Sequence, residues 1–268
     1  MTKDDEFSCD ITLPYSAINA NGRVKADWLL NAFQDAAFNQ CYKLGISGFQ
    51  MAEKQLKWVM AQYRIRIHKQ IDWLVPLTLK TWRAPLKNLY EIRRYALVPQ
   101  TASNNTTPSK PLVTATSVWI LIKTSNGRPV RLSPNMPPHL MTEEAEPCEL
   151  IKPSKDFGDA HHEMRFPVKF LDLDLNQHVN NRVYLTWAVE SLPEPYCFDY
   201  APYQCDVVYL KEGFFNDRIL SRIRLEFEKS KLTSDHAIVN ESTGEELARL
   251  TIRWEKIAPE GPFGNHDS

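Results

Sequence analysis

The residues best suited to chemistry lie in one short polar run in the second half of the chain. Asp174, Asn176 and His178 occupy alternate positions, which groups a carboxylate, an amide and an imidazole closely. The imidazole can act as an acid or a base because its ordinary pKa lies near neutrality. The amide can hydrogen-bond a carbonyl group or orient water, and the carboxylate can orient the imidazole or attack a carbonyl carbon. The run therefore predicts an acid–base site.

The sequence around this run indicates how its side chains would be positioned. Residues 171–181 are too polar to be buried as a strand and predict a loop, whereas residues 182–192 carry apolar side chains at helical spacings of three and four. Either Asn180 or Asn181 can cap that helix, because its side-chain oxygen can accept from an orphan N–H group. The candidate residues would then lie at a helix N-terminus, where the positive end of the helix dipole points. Ordinary turns and caps have the same composition, so the loop alone does not establish a site.

Several segments together resemble one enzyme family. The run DLNQHVNN at residues 174–181, followed by Tyr184 and Trp187, resembles the active-site segment of the acyl-acyl carrier protein (acyl-ACP) thioesterases. These enzymes end fatty acid synthesis by hydrolysing the acyl thioester. Three further segments resemble the same family, namely LKWV at 56–59, DW at 72–73 and GRPVRL at 127–132. The resemblance covers most of residues 7–257 and implies release of a free fatty acid from acyl-ACP.

The resemblance also implies a fourth catalytic residue. Glu212 stands where the family carries a catalytic carboxylate on a strand, and it is the candidate for activating water. Some relatives have a Cys directly after that Glu, but here the residue is Gly213, which excludes a cysteine nucleophile at that position. The implied catalytic set is therefore Asp174, Asn176, His178 and Glu212, with a carboxylate–imidazole mechanism. Within it, Asp174 either orients His178 or attacks the thioester.

The chain shows the same pattern twice, which predicts its architecture. Each half has a strand, a helix and four further strands, and adding 155 to Tyr15 gives Phe170. An amphipathic helix needs a sheet to cover it, so the residues alone predict two similar α+β units. The family resemblance implies two tandem hot-dog folds, each an antiparallel sheet wrapped around a long central helix. We expect an N-terminal hot-dog at 1–133, a proline-rich linker at 134–159, a C-terminal hot-dog at 160–257 and a flexible tail at 258–268.

The two halves are predicted to have different roles. At the positions that match Asp174 and His178, the first half carries Asn19 and Arg23, so it lacks both the acid and the imidazole. We therefore expect one active site, in the second half. The first half would supply the scaffold and the acyl-chain pocket, whose expected borders on the first helix are Phe33, Ala37 and Phe38.

Composition argues against several other functions. The formal net charge of −1 gives no global field that would attract nucleic acid or an anionic membrane. No apolar run approaches the roughly 20 residues of a membrane-spanning helix. The five cysteines show no CxxC spacing, which argues against a disulfide framework or a zinc site and indicates a reducing compartment. The first residues resemble neither a signal peptide nor a transit peptide. We expect a cytoplasmic protein without a cofactor or metal.

The resemblance implies both a partner and an assembly. The partner would be an acyl carrier protein that carries an acyl-phosphopantetheine, and the assembly would be a homodimer. Because carrier proteins are acidic, the docking surface should be basic. Candidates for that surface are Arg64, Arg66, Lys69, Arg93, Arg94, Lys229 and Lys231.

Three alternatives remain open. An acyl-CoA thioesterase of the same fold would differ only in the carrier of the leaving thiol. A non-catalytic acyl-binding module would predict a degraded DxNxH run or a missing Glu212, and both are intact here. A dehydratase of the same fold would need a carboxylate from the opposite half or protomer, and the first half lacks the matching one.

Overall fold

The computed structural model describes residues 6–84, 86, 88–100, 110–141, 148–153, 156–229 and 231–257. The chain divides into two units that are described separately. Unit 1 comprises Met1–Leu13, Asn31–Arg64 and Asp72–Leu150, and unit 2 comprises Pro14–Leu30, Ile65–Ile71 and Ile151–Ser268. Segments 14–30 and 65–71 therefore group with the second half of the chain. The predicted domain boundaries at 1–133 and 160–257 stay a prediction.

The first half of the chain contains five strands and a long helix, as the pattern predicts. The elements are β1 (Glu6–Thr12), α1 (Ala26–Lys43), α2 (Gly48–Glu53), β2 (Leu56–Ile67), β3 (Pro76–Arg83), β4 (Tyr90–Pro99), β5 (Val113–Lys123) and α3 (Leu132–Asn135). Their strand order is β1-β3-β4-β5-β2. The pairs β1–β3, β3–β4 and β4–β5 are antiparallel. In unit 1, α1 packs on this sheet through Phe33, whose ring lies 5.1 Å from that of Tyr95 on β4.

The core of unit 1 corrects one expectation about the docking surface. Arg93 on β4 is 2% exposed, so it cannot form part of a basic surface for a carrier protein. Its guanidinium group donates to the Gln40 side chain on α1 and to the hydroxyl of Thr81 on β3. It also lies 3.1 Å from the sulfur of Cys41. Strand alternation alone did not indicate which face of β4 would be buried.

The second half repeats the arrangement. Its elements are β6 (His162–Pro167), α4 (Asn181–Glu190), α5 (Tyr196–Asp199), β7 (Tyr200–Tyr209), β8 (Arg218–Glu228), β9 (Lys231–Asn240) and β10 (Glu246–Lys256). The strand order is β6-β8-β9-β10-β7, and α4 packs over β8, β9 and β10. Each strand and its counterpart in the first half occupy the same place in their sheets, which confirms the duplication. The predicted pattern of a strand, a helix and four further strands does not include α5.

The loops before α1 and α4 are also repeated in register. A 3₁₀ turn at Tyr15–Ala17 matches one at Phe170–Asp172. The bridge Ile18↔Val24 matches Leu173↔Val179, each residue 155 positions from its counterpart. The alignment read from the sequence is therefore confirmed at the level of backbone pairing.

The predicted linker packs against unit 2 near its end. The ring of Phe157 is buried, and the guanidinium groups of Arg222 and Arg249 lie 5.3 and 5.2 Å from its centre. Cation–π contacts of this kind fix the segment against β8 and β10. The predicted tail at 258–268 lies outside the described residues. Within the described ranges, no helix has the length and apolar character that would let it cross a membrane.

Candidate active site

The polar run forms a tight loop between β6 and α4. The bridge between Leu173 and Val179 closes the loop, and Gln177 takes a positive φ of 61° at its tip. The cap of α4 is Asn180, whose side-chain oxygen accepts from the backbone N–H of Arg182 at 3.1 Å. The N-cap is therefore Asn180 and not Asn181. The loop holds residues 174–178 beside the start of the helix, as predicted.

Asp174 organises the loop from within. Its Oδ1 accepts from the backbone N–H groups of Asn176 at 2.8 Å and of His178 at 3.3 Å. Its Oδ2 accepts from the side-chain amide of Asn176 at 3.3 Å. The carboxylate therefore sets the position of the backbone at His178 and the orientation of the Asn176 amide.

A carboxylate from the segment after β7 completes the cluster. Glu212 Oε1 lies 3.3 Å from His178 Nδ1, with the imidazole side chain 21% exposed and the carboxylate side chain 40% exposed. The backbone aligns the two segments, because Val179 donates to the carbonyl of Gly213 at 2.9 Å and His178 forms a bridge with Phe214. The Phe214 ring also meets the imidazole edge to face at 5.2 Å. All four residues of the predicted catalytic set are brought together.

Tyr184 contributes to the site through its hydroxyl group, whereas the helical spacing of residues 182–192 predicts only its place on the apolar face of the helix. Its ring is buried on α4, but its hydroxyl accepts from the backbone N–H of Gly213 at 3.0 Å and donates to the carbonyl of Lys211 at 3.5 Å. It therefore holds the backbone on both sides of Glu212. Burial raises the pKa of Tyr184, so the hydroxyl stays protonated. No sequence signal reveals this role, since its partners lie 27 and 29 residues away.

The glycine after Glu212 is closely packed. A Cβ at Gly213 would lie 3.0 Å from Val179 Cγ2 and 3.3 Å from the Tyr184 hydroxyl. A side chain there would push against both the catalytic loop and the tyrosine that holds the segment. A side chain at this position therefore requires its neighbours to shift by a few tenths of an ångström.

The family matches agree with this geometry. Residues 4–139 match the model of the acyl-ACP thioesterase N-terminal domain, and residues 156–256 match that of the C-terminal domain. The chain belongs to the acyl-ACP thioesterase family. The predicted resemblance is thereby confirmed.

The sequence identity between this acyl-ACP thioesterase family member and individual curated relatives is modest. The palmitoyl-acyl carrier protein thioesterase, chloroplastic, of Gossypium hirsutum is 29% identical over 203 residues, which are 70% of this chain and 48% of that protein. The chain spans about half the length of the curated relatives it matches.

Solved structures show the same fold. A Lactobacillus plantarum protein provisionally described as an oleoyl thioesterase has a TM-score of 0.83 at 20% identity, over 96% of this chain and 98% of its own. The 12:0-ACP thioesterase of Umbellularia californica has a TM-score of 0.78 at 18% identity, over 94% of both chains. These likenesses confirm the predicted α+β class of two tandem hot-dog folds.

The predicted acyl-pocket residues lie on α1 in unit 1. Phe33 and Ala37 are buried, whereas Phe38 is 40% exposed and meets Phe49 edge to face at 5.6 Å. Phe33 and Ala37 thus line the apolar core of the unit. Their role in binding an acyl chain stays a prediction.

The described residues offer little to a metal ion. In the ranges that the structure covers, no group of three or more His, Cys, Asp or Glu side chains could hold one. The candidate site itself has one imidazole, His178, which is paired with Glu212. Its arrangement suits proton transfer between side chains and water.

Proposed function

We propose that this chain hydrolyses the thioester of acyl-ACP, releases the free fatty acid and so ends fatty acid synthesis. The observation that carries the proposal is the pairing of His178 with Glu212 beside the amide of Asn176, which Asp174 holds. A proton acceptor, its orienting carboxylate and a hydrogen-bond donor are the groups that acyl transfer to water requires. Membership of the family supports the choice of an acyl thioester as the substrate.

The His178–Glu212 pair activates the water. With Nδ1–H directed to the carboxylate of Glu212, Nε2 of His178 accepts a proton from water as the water oxygen bonds to the thioester carbon. The carboxylate stabilises the imidazolium that forms. Collapse of the tetrahedral intermediate breaks the C–S bond, and His178 returns the proton to the departing thiolate. The products are the fatty acid and the carrier thiol.

Asn176 and Asp174 have supporting roles. One amide N–H of Asn176 is directed to Asp174, so the other can donate to the oxyanion of the intermediate. Asp174 accepts three hydrogen bonds from two residues, which suits a positioning group better than a nucleophile. We therefore assign Asp174 to orienting the loop and assign the attack to water.

The experiment is hydrolysis of a chain-length series of acyl thioesters, presented both on acyl carrier protein and on CoA. Wild type is compared with His178→Ala and Glu212→Gln, and His162→Ala, an exposed histidine on β6, is the matched control. Loss of a general acid–base group costs about 10²–10⁴-fold in rate. We expect that loss in the two site variants only.

The outcomes separate the candidate functions. Faster turnover on the carrier protein supports the proposal, and the series identifies the acyl chain. Faster turnover on CoA would support the same active site, but with CoA rather than acyl carrier protein as the carrier of the acyl chain. If wild type hydrolyses neither thioester faster than His178→Ala does, the proposed enzymatic activity is contradicted and an acyl-binding module remains.

The assembly and the compartment are proposed from the family and the sequence. We propose a cytoplasmic homodimer that acts on an acyl carrier protein bearing an acyl-phosphopantetheine, without binding nucleic acid or membrane. Light scattering at several concentrations tests the dimer, since a mass near the 31.0 kDa of one chain would contradict it. Cell fractionation tests the compartment.

A further inference from the structure

A second, basic pocket lies in unit 2. It encloses about 440 Å³, a volume within the range of small-molecule sites. All of its lining residues belong to the segments that make up unit 2. Its charged lining residues are Arg23, Lys69, Lys231, Glu255 and Lys256, and His68 adds a titratable side chain. None of the four residues of the predicted catalytic set lines this pocket.

The pocket lies at the counterpart of the candidate active site. Arg23 stands in the first copy of the loop where His178 stands in the second, 155 residues later. Gln70 is the third residue after β2, as Glu212 is the third after β7. Both Arg23 and Gln70 line the pocket, so the fold brings together the same two positions that form the catalytic pair.

The replacements follow a consistent chemical direction. Asn19 takes the place of Asp174, Gln70 takes that of Glu212, and Arg23 takes that of His178. Each carboxylate has become an amide, and the imidazole has become a permanent cation. None of these three side chains is a carboxylate or an imidazole, and Arg23 supplies a planar donor group suited to phosphate.

The backbone that presents Arg23 is held in place. The side-chain amide of Asn21 donates to the carbonyls of Cys197 at 3.1 Å and Tyr200 at 3.2 Å, and its oxygen accepts from the N–H of Arg23 at 3.1 Å. Asn21 matches Asn176 in sequence, so an amide that is exposed in the catalytic copy has become an anchor here. The loop therefore offers Arg23 on a rigid support.

The remaining charges come from the strand ends. Lys256 closes β10 opposite Tyr200, and Lys231 opens β9, where its ammonium lies 5.7 Å from the ring centre of Tyr203. Among the described residues of the lining, Glu255 is the one acid, against four Lys and Arg residues, so their formal charge is +3 with His68 neutral. This charge matches a multiply charged anion better than a single carboxylate.

We propose that this pocket binds a diphosphate group, held by Arg23, Lys69, Lys231 and Lys256. The group could belong to inorganic diphosphate or to an organic ligand that contains one, such as CoA. The first copy of the active-site loop has thereby exchanged acid–base chemistry for anion binding. The inference does not rest on the proposed hydrolysis, because Asp174, Asn176, His178 and Glu212 do not line this pocket.

The test is isothermal titration calorimetry of the full chain with inorganic diphosphate and, separately, with CoA at low ionic strength. The pocket variant is Arg23→Gln/Lys256→Gln. Its matched control is Arg128→Gln/Lys123→Gln, which removes the same two charge types from exposed positions at the end of β5 and in the turn after it. We expect saturable binding by wild type and control, and affinity weaker by about tenfold or more in the pocket variant, since charge-assisted hydrogen bonds are lost.

Two further variants make the result decisive. Lys256→Gln alone leaves the Arg23 loop intact, so weaker binding in this variant excludes misfolding of the loop as the cause. His178→Ala should lose hydrolysis but keep diphosphate binding, which separates this site from the candidate active site. Binding by both ligands indicates an organic diphosphate, and binding by inorganic diphosphate alone indicates the free anion. No saturable heat with either ligand, or an equal loss in the control pair, would overturn the proposal.

Discussion

Replacement of Tyr184 by Phe removes the hydroxyl oxygen that contacts the backbone on both sides of Glu212. The hydroxyl accepts from the N–H of Gly213 at 3.0 Å and donates to the carbonyl of Lys211 at 3.5 Å. These two contacts hold the residues directly before and after Glu212 in the sequence. The ring of Tyr184 is buried and stays in place in the variant, so the change tests the hydroxyl alone.

The expected cost comes mainly from one bond. The N–H of Gly213 is buried and would lose its acceptor, and an unsatisfied buried donor costs about 1–3 kcal/mol of unfolding free energy. The contact with Lys211 lies at the outer limit of hydrogen-bond distance and adds little. Displacement of a catalytic group by about 1 Å can cost on the order of 10²-fold in rate. We therefore expect kcat to fall about 10- to 100-fold with KM little changed.

Tyr209→Phe is the matched control. The Tyr209 ring meets that of Tyr184 at 5.6 Å, and its hydroxyl donates to the carbonyl of Asn181 at 3.0 Å. This variant loses one hydrogen bond of similar worth, but none that holds Glu212. Urea unfolding and steady-state hydrolysis are measured on both. If kcat falls equally in the two variants, or if Tyr184→Phe is destabilised at full kcat, the hydroxyl does not position the carboxylate.

Three other changes have defined outcomes. Gly213→Ala places a Cβ 3.0 Å from Val179 Cγ2, so melting temperature and kcat should both fall, and unchanged values would refute the packing argument. Asp174→Asn should lower initial rates about 10- to 100-fold but keep turnover, because it disturbs only the hold on Asn176; a drop to background would instead favour a nucleophile. Burial lowers the pKa of His236 to about 3 from 6.5, so its stabilising effect is complete above pH 6.5 and is lost as the pH falls towards 3. His236→Gln should therefore flatten the decline of unfolding free energy between pH 6.5 and 5 by about 2 kcal/mol, and an equally steep decline in the variant would contradict this.

The sequence predicted what depends on local pattern and on repetition. The helix α4 follows from the spacing of its apolar residues. Its N-cap follows from an Asn whose side-chain oxygen can accept a backbone N–H group at the start of the helix. The register of the repeat was visible because the two loops have the same length. The number of residues from the turn at Tyr15–Ala17 to Val24 equals the number from the turn at Phe170–Asp172 to Val179. Backbone hydrogen bonds repeat with it: Asn19 donates to the carbonyl of Arg23 as Asp174 does to that of His178, both at 2.8 Å.

The features that sequence reasoning missed are those set by distant partners. The hydroxyl of Tyr184 and the guanidinium of Arg93 both meet groups on other elements, at separations of 12 to 53 residues. Helical periodicity places Tyr184 on the buried face, but says nothing about the donor its hydroxyl meets there. Alternation along β4 similarly does not predict that the charged side chain of Arg93 faces α1 and donates a hydrogen bond to Gln40.

The repeated loop explains how one half could lose its chemistry without losing its fold. In both copies, the backbone bonds and the bridge close the loop, and these do not depend on which side chains fill the catalytic positions. The side chains at those positions are therefore free to change. Asp174 and Asn19 both fit the same turn, because Asp and Asn side chains can each accept local backbone N–H groups. The chemistry is decided by the second segment, after β7 or after β2, which supplies Glu212 in one copy and Gln70 in the other. A histidine in place of Arg23 would therefore have the amide of Gln70, rather than a carboxylate, at the position equivalent to Glu212.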